Sequence, residues 1–136
     1  MIFSDGLAAI KPWGSDRCFY INTEGKTAIQ TEFSFCGQFS EGMAAVHDRE
    51  LDRCGYIDKN GELVIDLRFK QCWGFAEGRA VVQIGDQWGY IDKDGKTIFG
   101  PADFQFFRNF DAGLARIGNQ NNWGYIDLDG EYVLQP

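Results

Sequence analysis

The chain lacks most of what catalytic and nucleic-acid signatures require. It holds a single histidine, His47, so any dyad or triad that uses imidazole has to be built on that residue. Neither G-x-S-x-G, nor a P-loop, nor H-E-x-x-H occurs. Basic residues are outnumbered 20 to 13, and the net charge of −7 sets the surface against phosphate backbones, which are captured by Lys and Arg. Nucleic acid is therefore excluded as a partner, and a basic protein is the better electrostatic match. No apolar run approaches the roughly 20 residues of a membrane helix. The first residues show no basic stretch followed by an apolar segment, as a leader would, and the expectation is a cytoplasmic protein with no membrane contact. No stretch keeps helical periodicity for ten residues, which argues against helices.

What the chain does have is glycine and aromatic side chains: 17 Gly and 15% Phe, Trp and Tyr within 136 residues, alongside 44% hydrophobic content. That composition suits one folded, turn-rich β domain over residues 1–136. Self-comparison shows a period. "FSDGLAAI" from Phe3 returns as "FSEGMAAV" from Phe39, "FAEGRAVV" from Phe75 and "FDAGLARI" from Phe110, at steps of 36, 36 and 35. Tyr20, Tyr56, Tyr90 and Tyr125 keep the same phase, each followed by Ile and then Asn or Asp. The repeat units are 3–38, 39–74, 75–109 and 110–136.

Columns of equivalent positions separate buried from exposed sites. Ala8, Ala44, Ala80 and Ala115 stay apolar, as do Ile10, Val46, Val82 and Ile117 two residues on, which marks one face of a first strand. The intervening columns admit Arg79 and Arg116 and are expected to face outward. In the second strand Trp and Tyr fall on one face and Ile on the other, so both faces are covered. A turn closing on Gly25, Gly61, Gly95 or Gly130 leads to a third short strand, with the glycine left-handed. The fold class is all-β: four tandem units of about 35 residues and three strands each, stacked as an open solenoid-like superhelix, with a closed propeller-like ring as the alternative.

The phrases "FSEGMAAV" and "WGYIDKDGK" together resemble the bacterial WG-repeat (KWG-repeat) proteins, whose unit joins F-x-E-G-L-A-x-V to W-G-Y-I-D-x-x-G-K. Cys18-Phe19 and Cys54-Gly55 stand where that pattern has Trp-Gly. The resemblance implies an all-β repeat array and carries no catalytic residue set with it.

The side chains with possible chemistry read mainly as structure. Asp92, Asp94, Asp127 and Asp129 beside glycine lack the further ligands of a calcium loop and are expected to shape turns. Cys18, Cys36, Cys54 and Cys72 lie 18 apart because the repeat spaces them: two share the column of Trp88 and Trp123, two that of Phe107. They are expected as core thiols; a disulfide Cys18–Cys54 or Cys36–Cys72 and a metal site are the alternatives. No metal or cofactor is expected, and the protein is expected not to be an enzyme.

Function is sought where the copies disagree. The link between first and second strands is "KPWGSDR" and "HDRELDR" in the first two units but "QIGDQ" and "GNQNN" in the last two. In a repeat array these links share one side, so Trp13, His47, Asp48, Arg49, Glu50, Asp86, Asn119 and Asn121 are the candidate binding residues. Trp13, between Pro12 and Gly14, is the leading aromatic anchor. Phe35, Trp73, Phe106 and Phe107, in the inter-unit segments, are expected mostly buried. These features point to a non-enzymatic module that binds a protein partner, with an acidic inhibitor or immunity-type protein as the narrower form. A glycan or cell-wall module is the rival, and it requires accessible tyrosines at the four repeated positions. A carboxylate-based hydrolase is the second rival, and it requires a concave pocket with facing acids.

Overall fold

A computed structural model describes residues 2–136. Among them no helix forms, and fifteen strands arrange into four antiparallel sheets, one per repeat. The first sheet holds β1 (Leu7–Ile10), β2 (Phe19–Asn22) and β3 (Thr27–Gln30). The second holds β4 (Phe35–Cys36), β5 (Met43–Asp48), β6 (Arg53–Asp58) and β7 (Leu63–Phe69). The third runs β8 (Gln71–Cys72), β9 (Ala80–Ile84), β10 (Gln87–Ile91) and β11 (Thr97–Ala102). The fourth runs β12 (Phe106–Phe107), β13 (Leu114–Gly118), β14 (Trp123–Asp127) and β15 (Tyr132–Leu134). Each sheet is a meander in which neighbours in sequence pair. The three expected strands recur in every unit. The last three sheets add a two-residue strand, drawn from the segment that the sequence reading assigned to the end of the preceding unit.

No unit has a core of its own. One face of each sheet looks back to the preceding unit and the other forward to the next, and the three hydrophobic clusters lie at the three junctions. Leu7, Cys18, Tyr20 and Ile29, on the forward face of the first sheet, pack against Cys36, Phe39, Val46 and Ile57 on the back face of the second. Met43, Ala45, Tyr56 and Ile65 meet Phe75, Ala80, Val82 and Ile91 in the same way, and Val81 and Tyr90 meet Phe107, Phe110, Ile117 and Ile126. Tyr20 and Tyr56 each present a ring edge to the next unit's Phe39 or Phe75, with centroids 4.8 Å apart. This geometry corrects one expectation: the columns that contain Arg79 and Arg116 face the following unit, not solvent. Ala45 and Val81, in the column of Arg116, are buried.

Hydrogen bonds repeat across the same junctions. The Tyr20, Tyr56 and Tyr90 hydroxyls donate to the carbonyls of Gly37, Trp73 and Arg108 at 2.6, 2.5 and 2.6 Å. Burial pushes all three hydroxyls far above the ordinary tyrosine pKa. The acid of each "EG" turn reaches the turn above it: Asp5 accepts from the Gly42 N–H, Glu41 from Glu77 and Gly78, and Glu77 from Ala112 and Gly113, at 2.7 to 2.9 Å. These acids adopt positive φ, +53° to +56° at Asp5 and Glu41, a conformation that costs a non-glycine residue about 1–2 kcal/mol. The charge-assisted bonds offset that cost.

The glycine of Trp-Gly serves close approach. At β10–β11 the register slips between Trp88 and Tyr90, so the third strand bulges over Gly89, where a Cβ would stand 2.6 Å from the Phe99 carbonyl oxygen. Phe19 takes that position in the first unit, and there β2 and β3 stay in register from Phe19 to Tyr20. The turn glycines Gly25, Gly61, Gly95 and Gly130 are left-handed, as expected, with φ from +80° to +83°. Asn22, Asp58, Asp92 and Asp127 each accept two backbone N–H bonds from the residues around those turns.

The cysteines are not free thiols. Cys18 bonds Cys36 and Cys54 bonds Cys72, a pairing that differs from both alternatives drawn from the sequence. Each bond crosses a junction, from the Trp column of one unit to the two-residue strand that opens the next sheet. At the third junction the same two positions hold Trp88 and Phe107, packed in one cluster. The array is open. Phe3 is 43% exposed although its equivalents Phe39, Phe75 and Phe110 are buried, and Leu134 is 52% exposed although Ile29 and Ile65 are buried. The two end faces do not cover one another, so no ring closes.

Candidate functional site

The links between first and second strands differ in length more than their sequences suggest. In the second unit β5 and β6 run on through His47, Asp48 and Arg53, with Asp48 paired to Arg53, so only four residues, Arg49 to Asp52, lie outside the strands. His47 is accordingly a strand residue, partly buried, and not part of a solvated loop. The third unit closes with two residues, Gly85 and Asp86, and the fourth with four, Asn119 to Asn122. Only the first unit has a long loop, the eight residues from Lys11 to Cys18.

Local chemistry fixes the second-unit hairpin. The Asp48 Oδ1 accepts from the N–H groups of Glu50 and Leu51 at 2.9 and 3.0 Å, and Asp52 turns the chain at φ +52°. The His47 Nε2 lies 3.1 Å from the Asp52 Oδ1, bracing the base of the turn. Arg49 then reaches the long loop of the first unit, its Nη1 lying 3.3 Å from the Asp16 Oδ1. Arg17 lies 3.7 Å from Glu32. Together these side chains line an open cleft of about 440 Å³ bounded by Asp16, Arg17, Glu32, Ser34 and residues 48–50. It holds four carboxylates against two guanidiniums, each guanidinium already facing one acid, so the surplus charge is negative.

Trp13 stands at the top of the long loop and is fully exposed, at 104% of a reference tryptophan. The turn that presents it is closed by the Ser15 N–H to the Pro12 carbonyl and has Gly14 at φ +76°. Of the candidate residues, the structure gathers Asp48, Arg49 and Glu50 into the cleft. It places His47 on the wall of a neighbouring 250 Å³ hollow with Phe35, Cys54 and Cys72. Asp86 sits exposed at the tip of its two-residue turn. The Asn119 Oδ1 is directed to the Gln105 N–H, at 2.9 Å, and Asn121 is exposed in the same turn. Asp16, Arg17, Glu32 and Ser34 were not among the sequence candidates. Asp16 and Arg17 belong to a loop the sequence singled out, whereas Glu32 and Ser34 reach the cleft only through sheet stacking.

The inter-unit aromatics depart from expectation. Phe107 is buried, but Phe35 and Trp73 are exposed and Phe106 is partly so. The Trp column is also uneven. Cys18 and Cys54 are buried and Trp88 is half-buried against Trp73, with ring centroids 5.6 Å apart, while Trp123 is 43% exposed. The difference has a simple origin: a following sheet covers the first three positions and not the fourth. Tyr20, Tyr56 and Tyr90 are fully buried.

A family model described as "WG containing repeat" matches residues 19–47, 55–88, 88–122 and 123–136, most of the chain. No curated protein matches it. The matched segments begin at or next to the Trp-Gly columns, a different cut of the same period.

Proposed function

The chain belongs to the WG-repeat family, and on that premise we propose that it is a non-enzymatic repeat module that binds a basic protein through the Lys11–Cys18 loop and the adjoining acidic cleft. The observation that carries this reading is Trp13, a wholly exposed tryptophan held by a structured turn beside surplus carboxylates. Aromatic anchors of this kind dominate interface energetics, and flanking charge steers a partner of opposite sign. The narrower form is an acidic inhibitor or immunity-type protein. Two features weigh against the rivals. Three of the four tyrosines that a glycan-stacking ladder needs are buried. A hydrolase needs one carboxyl kept protonated in a dry surround, whereas the Asp16 and Glu32 side chains are 84% and 85% exposed. Two disulfides support an oxidising compartment over the cytoplasm expected from the sequence.

The test immobilises the chain and compares proteins retained by the parent, by Trp13→Ala and by the pair Asp48→Asn with Glu50→Gln. The expected result is a basic protein retained by the parent, released by moderate salt and lost from both variants, whose melting temperatures stay near the parent's. Retention unaffected by either variant removes the loops from the interface.

A further inference from the structure

The forward face of the fourth sheet differs from the forward faces of the other three in ways that identify what it meets. In the inner units this face receives the next repeat. It offers an acid, Asp5, Glu41 or Glu77, to the turn amides above, and small residues, Ala9, Ala45 or Val81, beneath the next sheet. In the fourth unit the acid position is Ala112 and the small position is Arg116. The acid-to-turn bonds of the inner junctions thus have no counterpart on this face, and Arg116 stands where the inner units have a small residue.

Its own contents point elsewhere. Phe106, Gly118 and Trp123 are cross-strand neighbours on β12, β13 and β14, so two rings flank a glycine about 10 Å apart, two strand spacings. The Arg116 guanidinium spans that gap, 5.4 Å from the Phe106 centroid and 5.0 Å from that of Trp123. Arg108 lies 5.4 Å from the Phe106 centroid. The other five arginines are occupied: Arg17 and Arg49 face carboxylates, and Arg53, Arg68 and Arg79 donate to backbone carbonyls. Among the described residues Arg108 and Arg116 have ring contacts but no ion pair or side-chain hydrogen bond, in a chain with a large excess of acids. The ring contacts hold these guanidiniums in place and leave their N–H donors free for a carboxylate. The adjoining turn, Asn119 to Asn122, is made entirely of uncharged amides.

We propose that this face binds a carboxylate-bearing sugar chain, with Arg116 and Arg108 holding the carboxylate, the Trp123 ring stacking on the sugar, and the amides of Asn121 and Asn122 reaching its hydroxyls. An exposed ring beside two unpaired guanidiniums and uncharged amides supplies a stacking surface together with donors for a carboxylate. The site shares no residue with the acidic cleft, so it stands or falls separately from the loop interface.

The experiment titrates the full chain with oligogalacturonate, alginate and hyaluronan fragments, using calorimetry and tryptophan fluorescence, with cello-oligosaccharide and poly-L-glutamate as comparison ligands. At least one uronate oligomer is expected to bind, with affinity reduced at least tenfold in Arg116→Gln and Trp123→Ala and unchanged in Glu24→Gln. Arg116→Gln alters a surface side chain and keeps the test decisive if Trp123→Ala folds poorly. Failure of every uronate to bind, or binding indifferent to Arg116→Gln, overturns the proposal. Cello-oligosaccharide binding equally well overturns the role of the carboxylate, and poly-L-glutamate binding more tightly than the uronates reassigns the face to acidic peptides.

Discussion

At the scale of single residues, one tyrosine hydroxyl at each of the three junctions adds to the hold between neighbours. Tyr56→Phe removes a buried donor from the Trp73 carbonyl and is expected to cost about 1–2 kcal/mol in denaturant unfolding. Tyr125→Phe, on the open face, should change stability by less than about 0.5 kcal/mol. Titration gives a second readout. Burial raises the pKa of Tyr20, Tyr56 and Tyr90 in the fold above the ordinary value of 10.0, so the neutral hydroxyl is the form the fold retains. Their contribution to stability is complete below the unfolded value and is lost as the pH climbs from there towards the native one. Ultraviolet titration should show these three ionising only together with unfolding; ionisation of all five tyrosines in a still-folded chain would contradict their burial. Trp123 shows how an identity can mislead. Its column reads as core, yet burial here is supplied by the following unit, and Trp123→Ala is expected to cost about 1 kcal/mol instead of the 3–5 kcal/mol of a core tryptophan.

At the scale of elements, the bulge over Gly89 makes the second and third strands of a unit interdependent. Gly89→Ala drives a methyl group into the Phe99 carbonyl and is expected to destabilise by more than about 2 kcal/mol, whereas Phe19→Ala, where no bulge crosses, tests packing alone. Thermal melts of the two variants separate the effects. The strands and turns of these units were legible because alternation and the Asp–Gly turns are local signals. The second-unit link was not. "HDRELDR" carries enough charge to resemble a loop, but His47 and Asp48 continue the alternation of β5, and strand pairing overrides the cue of composition. The two-residue strands escaped notice for a related reason: Phe35–Cys36, Gln71–Cys72 and Phe106–Phe107 are too short to show a period and pair only with a strand of the next unit.

At the scale of the whole molecule, stability is a chain of three junctions, each sensitive only to its two neighbours. The disulfides secure the first two and aromatic packing the third. Cys18→Ser with Cys36→Ser is expected to lower unfolding free energy by about 3 kcal/mol, the value for a closed loop of this length, and reduction of the parent, which opens both bonds, should cost about twice as much. The pairing itself lay hidden because each bond joins two different columns. The signal was joint variation: both columns hold cysteine in the first two units and an aromatic in the third, at Trp88 and Phe107. These bonds also set how the chain behaves under load. Pulled from its ends, the molecule can peel its last unit and the long loop freely, but each disulfide withholds a segment of 18 residues from extension. At about 3.4 Å per residue, the two together conceal roughly 120 Å of contour length. Single-molecule stretching with and without reductant should differ by that amount, so that tension tears the array open from its aromatic end while its stapled end stays short.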